Sequence, residues 1–215
     1  VIVIKDDFYP NPDEVREKAL AMFFRPGLRE KKRFYPGRRT MSSFSMENFV
    51  YCRNKWEYLL NAKMQYFPPQ NSNTAFTLAL ENDKNHNWVH HDCSGYLEET
   101  SNKMEGEAYA AVIYLSPDAD VRKGTGLFKS KQTGDIMKGN GLTKADAPFR
   151  GMWAEDGQFD MHTYVGNIYN RCVLYPAKYW HAPFCSGFGQ DKNTGVVVRG
   201  GFVEVKRTRG MAQTK

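Results

Sequence analysis

The segment Trp88-Val89-His90-His91-Asp92, answered much later by Tyr179-Trp180-His181, carries the residues best suited to chemistry. Two imidazoles and one carboxylate form the ligand set of a mononuclear iron(II) centre with open coordination positions. On a strand, alternate residues share a face. His90 and Asp92 then point one way, able to chelate one ion, and His91 points the other. A third ligand must come from elsewhere, and His181 sits in an apolar-aromatic segment suited to lie alongside.

The residues that follow are ordered. Ala108 to Pro117 is a short apolar run, β-branched and aromatic and ended by proline, and reads as a buried strand. A glycine turn and return strand, Gly124-Thr-Gly-Leu-Phe128, come next. Asn170 to Pro176 leads to His181. The last run, Val196 to Val205, is an apolar strand with one cation, Arg199, at its middle. A cation unpaired in a strand core is costly, and a bound dicarboxylate would offset that cost through a bidentate pair.

Taken in this order, the chain resembles the Fe(II)/2-oxoglutarate-dependent oxygenases, and among them the prolyl-4-hydroxylase-like branch. The pattern is carried by His90-His91-Asp92, Tyr114-Leu115-Ser116, Gly124-Thr125-Gly126 with Phe128, His181 and Arg199, over residues 74–205. The resemblance implies a mainly β fold with flanking helices, built on a double-stranded β-helix of the jelly-roll or cupin-like kind. It implies that His90, Asp92 and His181 hold Fe(II), that Arg199 binds the distal carboxylate of 2-oxoglutarate, and that Tyr114 assists. The implied reaction consumes O2, releases succinate and CO2, and hydroxylates a C–H bond of a peptide, an amino acid or a small metabolite. A carboxylate at Asp92 fits hydroxylation rather than halogenation, since related halogenases lack that ligand. The chain departs from the pattern at Ser116, where asparagine is common, and at Thr125, which interrupts a glycine pair. The interval from His181 to Arg199 is longer than usual, and the loop Gly187–Gly195 absorbs the excess. Arg171 is the rival cation.

Other readings compete with the oxygenase. One is a non-catalytic β-barrel module with a vestigial metal site. Another is a cupin-type metalloenzyme without 2-oxoglutarate, against which Arg199 beside Gly200 and Gly201 speaks, because the glycines leave room for a bound acid. Ser-His-Asp hydrolysis has no support, for want of a G-x-S-x-G elbow.

Composition narrows the classes further. A chain of 215 residues with 41% hydrophobic content suits one folded domain, 1–215. No stretch approaches the ~20 apolar residues of a membrane span. Cys52, Cys93, Cys172 and Cys185 lack C-x-x-C spacing, which argues against structural zinc and for reduced thiols in the cytoplasm. The net charge of +6 gathers at Arg29–Arg33 and Lys206–Arg209. Such runs are usually solvated faces, so a nucleic-acid partner is not expected.

Elements must hold these residues in place. Residues 1–66 read as a helical buttress. Asn11-Pro12-Asp13-Glu14 starts a helix with a stripe of Val15, Ala19, Leu20 and Phe23, which Pro26-Gly27 should stop. A second helix is expected from Ser45 through Leu60. Residues 1–4 suggest an edge strand, 67–73 a linker-like loop and 74–80 a strand. Residues 129–168 lack periodicity and read as an insertion: either a cover over the site mouth that selects the substrate, or a surface excursion with one short helix.

Overall fold

The computed structural model of the chain describes residues 1–25, 37–41, 43, 45–66, 75–81, 88–92, 107–137, 152–153, 157–183 and 189–206. Two helices stand at the front. Helix α1, Pro12–Ala21, has proline in its first turn with Asp13 and Glu14, and Lys18 in its last. These charges complement the helix dipole. It buries Val15 and Ala19 and ends at Ala21, earlier than the stripe suggests, leaving Phe23 77% exposed. The chain turns extended at Met22 because Arg25 and Arg39 exchange backbone hydrogen bonds of 2.8 and 3.0 Å. Helix α2, Met46–Leu60, begins as expected. The Ser45 hydroxyl accepts from the Asn48 N–H, and left-handed Asn61 closes the other end.

The strands form two principal sheets. In chain order they are β1 (Val3–Lys5), β2 (Arg38–Arg39), β3 (Lys63–Tyr66), β4 (Phe76–Ala79), β5 (Trp88–Val89), β6 (Glu107–Tyr114), β7 (Thr125–Ser130), β8 (Met152–Trp153), β9 (Phe159–Val165), β10 (Cys172–Pro176), β11 (His181–Pro183) and β12 (Val196–Lys206). The larger sheet runs β1-β10-β6-β12-β4-β2, with β3 also on β12; the smaller runs β11-β7-β9; β5 pairs with β8. The expected edge strand at the N-terminus is β1, and the linker-like loop 67–73 lies outside the described residues.

Alternation gives the larger sheet two apolar faces. Tyr109, Ala111, Ile113, Cys172, Leu174, Phe76 and Leu78 pack with Val15, Ala19, Cys52 and Trp56 of the helices. The helices therefore buttress this face. The other face presents Ala110, Tyr114, Val173 and Tyr175 to Leu127 and Val165 of the smaller sheet.

Residues 129–168 contribute strands among their described part. β9 completes the smaller sheet and β8 lies beside β5, with no helix among the described residues of the region. Sequence periodicity misses β9 because only its ends, Phe159 and Val165, are buried. Its register on β7 also slips between Leu127 and Phe128.

Two contacts set the register around the site. The Ser116 hydroxyl donates to the Gly195 carbonyl at 3.1 Å and accepts from the Val197 N–H at 2.8 Å, tying the end of β6 to the start of β12. At Gly124 a Cβ would stand 2.0 Å from the Val165 carbonyl oxygen, so only glycine lets β7 start this close to the end of β9.

Candidate metal centre

His90 follows β5 directly, and His181 opens β11. Their backbones exchange two hydrogen bonds, 2.9 and 2.8 Å, in an isolated antiparallel bridge. A hydrogen-bonded antiparallel pair carries its side chains on one face, and the two ring centroids are 4.3 Å apart. Asp92 is held by its own N–H, which donates to the Ala177 carbonyl at 2.8 Å. One carboxylate oxygen lies 3.1 Å from His181 Nε2, the other 3.7 Å from His90 Nε2. One ligand atom from each of His90, Asp92 and His181 falls within 4.8 Å of the others. His181 is buried, while His90 and Asp92 keep partial exposure.

The donor set fits a divalent ion. His181 Nδ1 lies 2.9 Å from the Tyr179 carbonyl oxygen. A carbonyl only accepts, so Nδ1 carries the proton, and Nε2, which faces Asp92, is the atom available to a metal. Burial alone would push the Asp92 carboxyl up and the His181 imidazole down. Their mutual attraction outweighs it. With help from His90 and Arg39, Asp92 is held below the usual carboxylate range; with help from the Tyr179 carbonyl, His181 is raised above the usual imidazole value. The two groups thus favour an ion pair that a metal cation would replace. His91 faces away and is buried edge-on against Trp180 at 5.0 Å between centroids.

Beyond His181, between the sheets, lie the polar ends of several aromatic residues. Tyr175 packs its ring against His181 at 4.9 Å. The buried hydroxyls of Tyr114 and Thr125 are 2.6 Å apart. Burial raises both the Tyr114 and Tyr175 phenols well above their usual range, so each remains a neutral hydrogen-bond donor.

The cations divide by register. Arg199 pairs with Ile113 on one side and Phe76 on the other, one step from the row Thr77–Val198–Tyr114. Arg171 accepts the Tyr114 N–H at its carbonyl, and its guanidinium forks onto Asp6 at 2.6 and 2.9 Å. Arg39 pairs with Thr77 and so extends the row of Tyr114. Its charge helps to hold the Asp92 carboxyl below the usual carboxylate range. Arg39 and Tyr175 are both absent from the motif, because no sequence pattern reveals that β2 and β10 carry them on the same face of the larger sheet.

The family model that matches the chain, over residues 1–189, is the family of unknown function DUF6445. The chain belongs to DUF6445. No curated protein matches it. Solved structures do, in the fold. A prolyl hydroxylase from Trichoplax adhaerens, in complex with a hypoxia inducible factor oxygen degradation domain peptide fragment, superposes with a TM-score of 0.54. Identity is 10%, over 95% of this chain and 83% of that one. AviO1 from Streptomyces viridochromogenes Tue57 gives 0.51 at 10% identity, over 98% and 92%. The epimerase SnoN, in complex with Fe3+, alpha ketoglutarate and nogalamycin RO, gives 0.50 at 16% identity, over 94% and 78%. The DUF6445 chain thus shares its fold with this prolyl hydroxylase, with AviO1 and with the epimerase SnoN, and the family match itself carries no activity. No described helix is long and apolar enough to cross a membrane.

Proposed function

We propose that this DUF6445 protein is an Fe(II)- and 2-oxoglutarate-dependent dioxygenase of the prolyl-4-hydroxylase-like branch, built on a double-stranded β-helix. It hydroxylates an unactivated C–H bond of a peptide, an amino acid or a small metabolite. The observation that carries the reading is the cluster of His90, Asp92 and His181 at one end of the cleft between the sheets, with the His181 tautomer set by the Tyr179 carbonyl. The fold shared with a prolyl hydroxylase and with an iron- and ketoglutarate-bound epimerase supports it.

His90, Asp92 and His181 would hold Fe(II). Bound with 2-oxoglutarate, the iron supplies oxidative decarboxylation to succinate and CO2, using O2, and transfer of one oxygen atom to a C–H bond. The chain supplies the rest. The bridge between His90 and His181 fixes the angle between two ligands. Asp92 provides the negative charge, and its N–H bond to Ala177 keeps it on the same side. Arg199 is the residue that the resemblance assigns to the distal carboxylate of 2-oxoglutarate, but its register partners Ile113 and Phe76 belong to the helix-side face, whereas Tyr114, the second assigned donor, lies on the face toward the smaller sheet. Arg171, the rival, already has its fork on Asp6. The buried apolar cluster of Ala110, Leu127, Val165 and Val173 between the sheets would keep water away from the site. The buried thiols Cys52 and Cys172, neither of them in a disulfide, suit a reducing, cytoplasmic compartment.

The test has two stages. Iron-loaded protein, given 2-oxoglutarate without O2, should bind one iron per chain and develop a weak visible charge-transfer band. On admitting O2 with a panel of peptides and metabolites, succinate should form. Firm zinc binding with no such band after iron loading would sink the proposal.

A further inference from the structure

Tyr175 is the buried polar side chain of the cleft that the motif leaves unused. It lies on β10, whose register partner is Ala110 of β6, on the face turned toward the smaller sheet. The residue is 2% exposed. Its ring stands 4.9 Å from the His181 ring, tilted by 58°. It belongs to the same buried cluster as Tyr114. That places the phenol on the stretch from the metal ligands to the Tyr114–Thr125 hydroxyl pair.

The hydroxyl makes no hydrogen bond to the protein among the described residues. By contrast, Tyr114 is bonded to Thr125, and Tyr9, Tyr51, Tyr164 and Tyr169 each have a bonded hydroxyl. The residue is 2% exposed, and its hydroxyl is not one of the fully buried polar atoms left without a partner, so it stays open to a ligand; a phenylalanine would fill the same space without offering a donor. A phenol kept at this point, beside a metal ligand and facing a cleft, fits a ligand that accepts a hydrogen bond.

We propose that Tyr175 is a binding residue for the acid held at the metal: its hydroxyl donates to a carboxylate oxygen of a 2-oxo acid that spans from the His90–Asp92–His181 cluster toward Tyr114. The inference rests on the dioxygenase reading and extends it to a donor on β10, apart from the Tyr114 and Arg199 positions. A cleft lined by three hydroxyls, those of Tyr114, Thr125 and Tyr175, suits a short, strongly accepting dicarboxylate better than an apolar ligand.

The test is Tyr175→Phe, which keeps the ring against His181 and removes only the hydroxyl. Three quantities are measured under argon: iron affinity, 2-oxoglutarate affinity of the iron-loaded protein, and the melting temperature of the ligand-free protein. A hydrogen bond to a charged acceptor predicts 2-oxoglutarate binding weakened about tenfold or more. Iron affinity should be unchanged, and the ligand-free melting temperature equal or higher, since nothing in the protein loses a partner. Unchanged 2-oxoglutarate affinity in the variant would overturn the role of Tyr175 and leave the dioxygenase reading standing. A lowered melting temperature or lost iron would also overturn it, by showing the hydroxyl to be structural. Failure of the unaltered, iron-loaded protein to bind 2-oxoglutarate would bring down both, which separates the two claims.

Discussion

His90 and His91 are adjacent in sequence and opposite in placement: one ring meets His181 and Asp92, the other is buried on Trp180. His90→Ala should therefore abolish iron binding. His91→Ala should leave iron binding largely intact and cost about 1–3 kcal/mol of stability through the vacated core position. Metal analysis with thermal denaturation of each variant checks this, and the reverse pattern would mean that the alternation fails in solution. The pair Asp92–His181 sets a pH dependence. In the metal-free protein, His181 has a raised folded value. Its contribution to stability is present below the ordinary imidazole value of 6.5 and is lost as pH rises through the raised one. Asp92 is depressed, so its contribution is present above the ordinary 3.8 and lost as pH falls through the lower one. The metal must displace the His181 proton. Iron affinity should thus keep climbing with pH above 6.5. Competition titrations at stepped pH measure this, and affinity already level at 6.5 would contradict it. At this scale the three residues of the cluster were legible, because H-x-D and a distal histidine are local signals. Tyr175 and Arg39 were not, because neither has a neighbour in sequence that marks it.

Among the elements, the buried Asn170 side chain helps to hold the N-terminal segment to the β9–β10 turn. Asn170 is buried in a left-handed conformation at φ 62°; its Oδ1 accepts from the Tyr9 N–H, and its Nδ2 donates to the Tyr9 carbonyl, each at 2.9 Å. Asn170→Ala removes both bonds and the residue type that tolerates this backbone. A loss of about 2–4 kcal/mol is expected in urea denaturation, with iron affinity little changed because the contact lies away from the triad. Ser45→Ala should cost about 1 kcal/mol by removing the cap of α2, read as a fall in the urea midpoint. Both helix starts were readable, since caps and first-turn charges are local. The end of α1 was not. It is decided by the Arg25–Arg39 pairing, a contact between segments far apart in the chain, and the exposed Phe23 follows from it.

For the whole molecule, two sheets pack face to face through a buried apolar cluster, with β12 central in the larger. Under the proposed function, Arg199→Ala should weaken 2-oxoglutarate binding by a few hundredfold or more, from the roughly 3–5 kcal/mol lost when one partner of a buried charge pair is removed. Iron affinity should not follow, since Arg199 is not a ligand. Arg171→Ala should instead loosen the pairing with Asp6 at the edge strand β1, by about 1 kcal/mol or less, because Asp6 is half exposed. Titration of the two iron-loaded variants with 2-oxoglutarate decides; loss with Arg171→Ala and retention with Arg199→Ala would reverse the assignment. The sequence by itself determined the residue types able to bind a metal, the two helix starts and most of the strands of the larger sheet. Each of those signals is local or periodic, arising from capping, from 3.6- or two-residue alternation, or from turn residues. Only the tertiary structure decided that β9 belongs to the smaller sheet, that Arg39 shares the row of Tyr114 and that Tyr175 sits beside His181. Those facts depend on inter-strand register and on which sheet faces which, and no short-range pattern in one sequence encodes either.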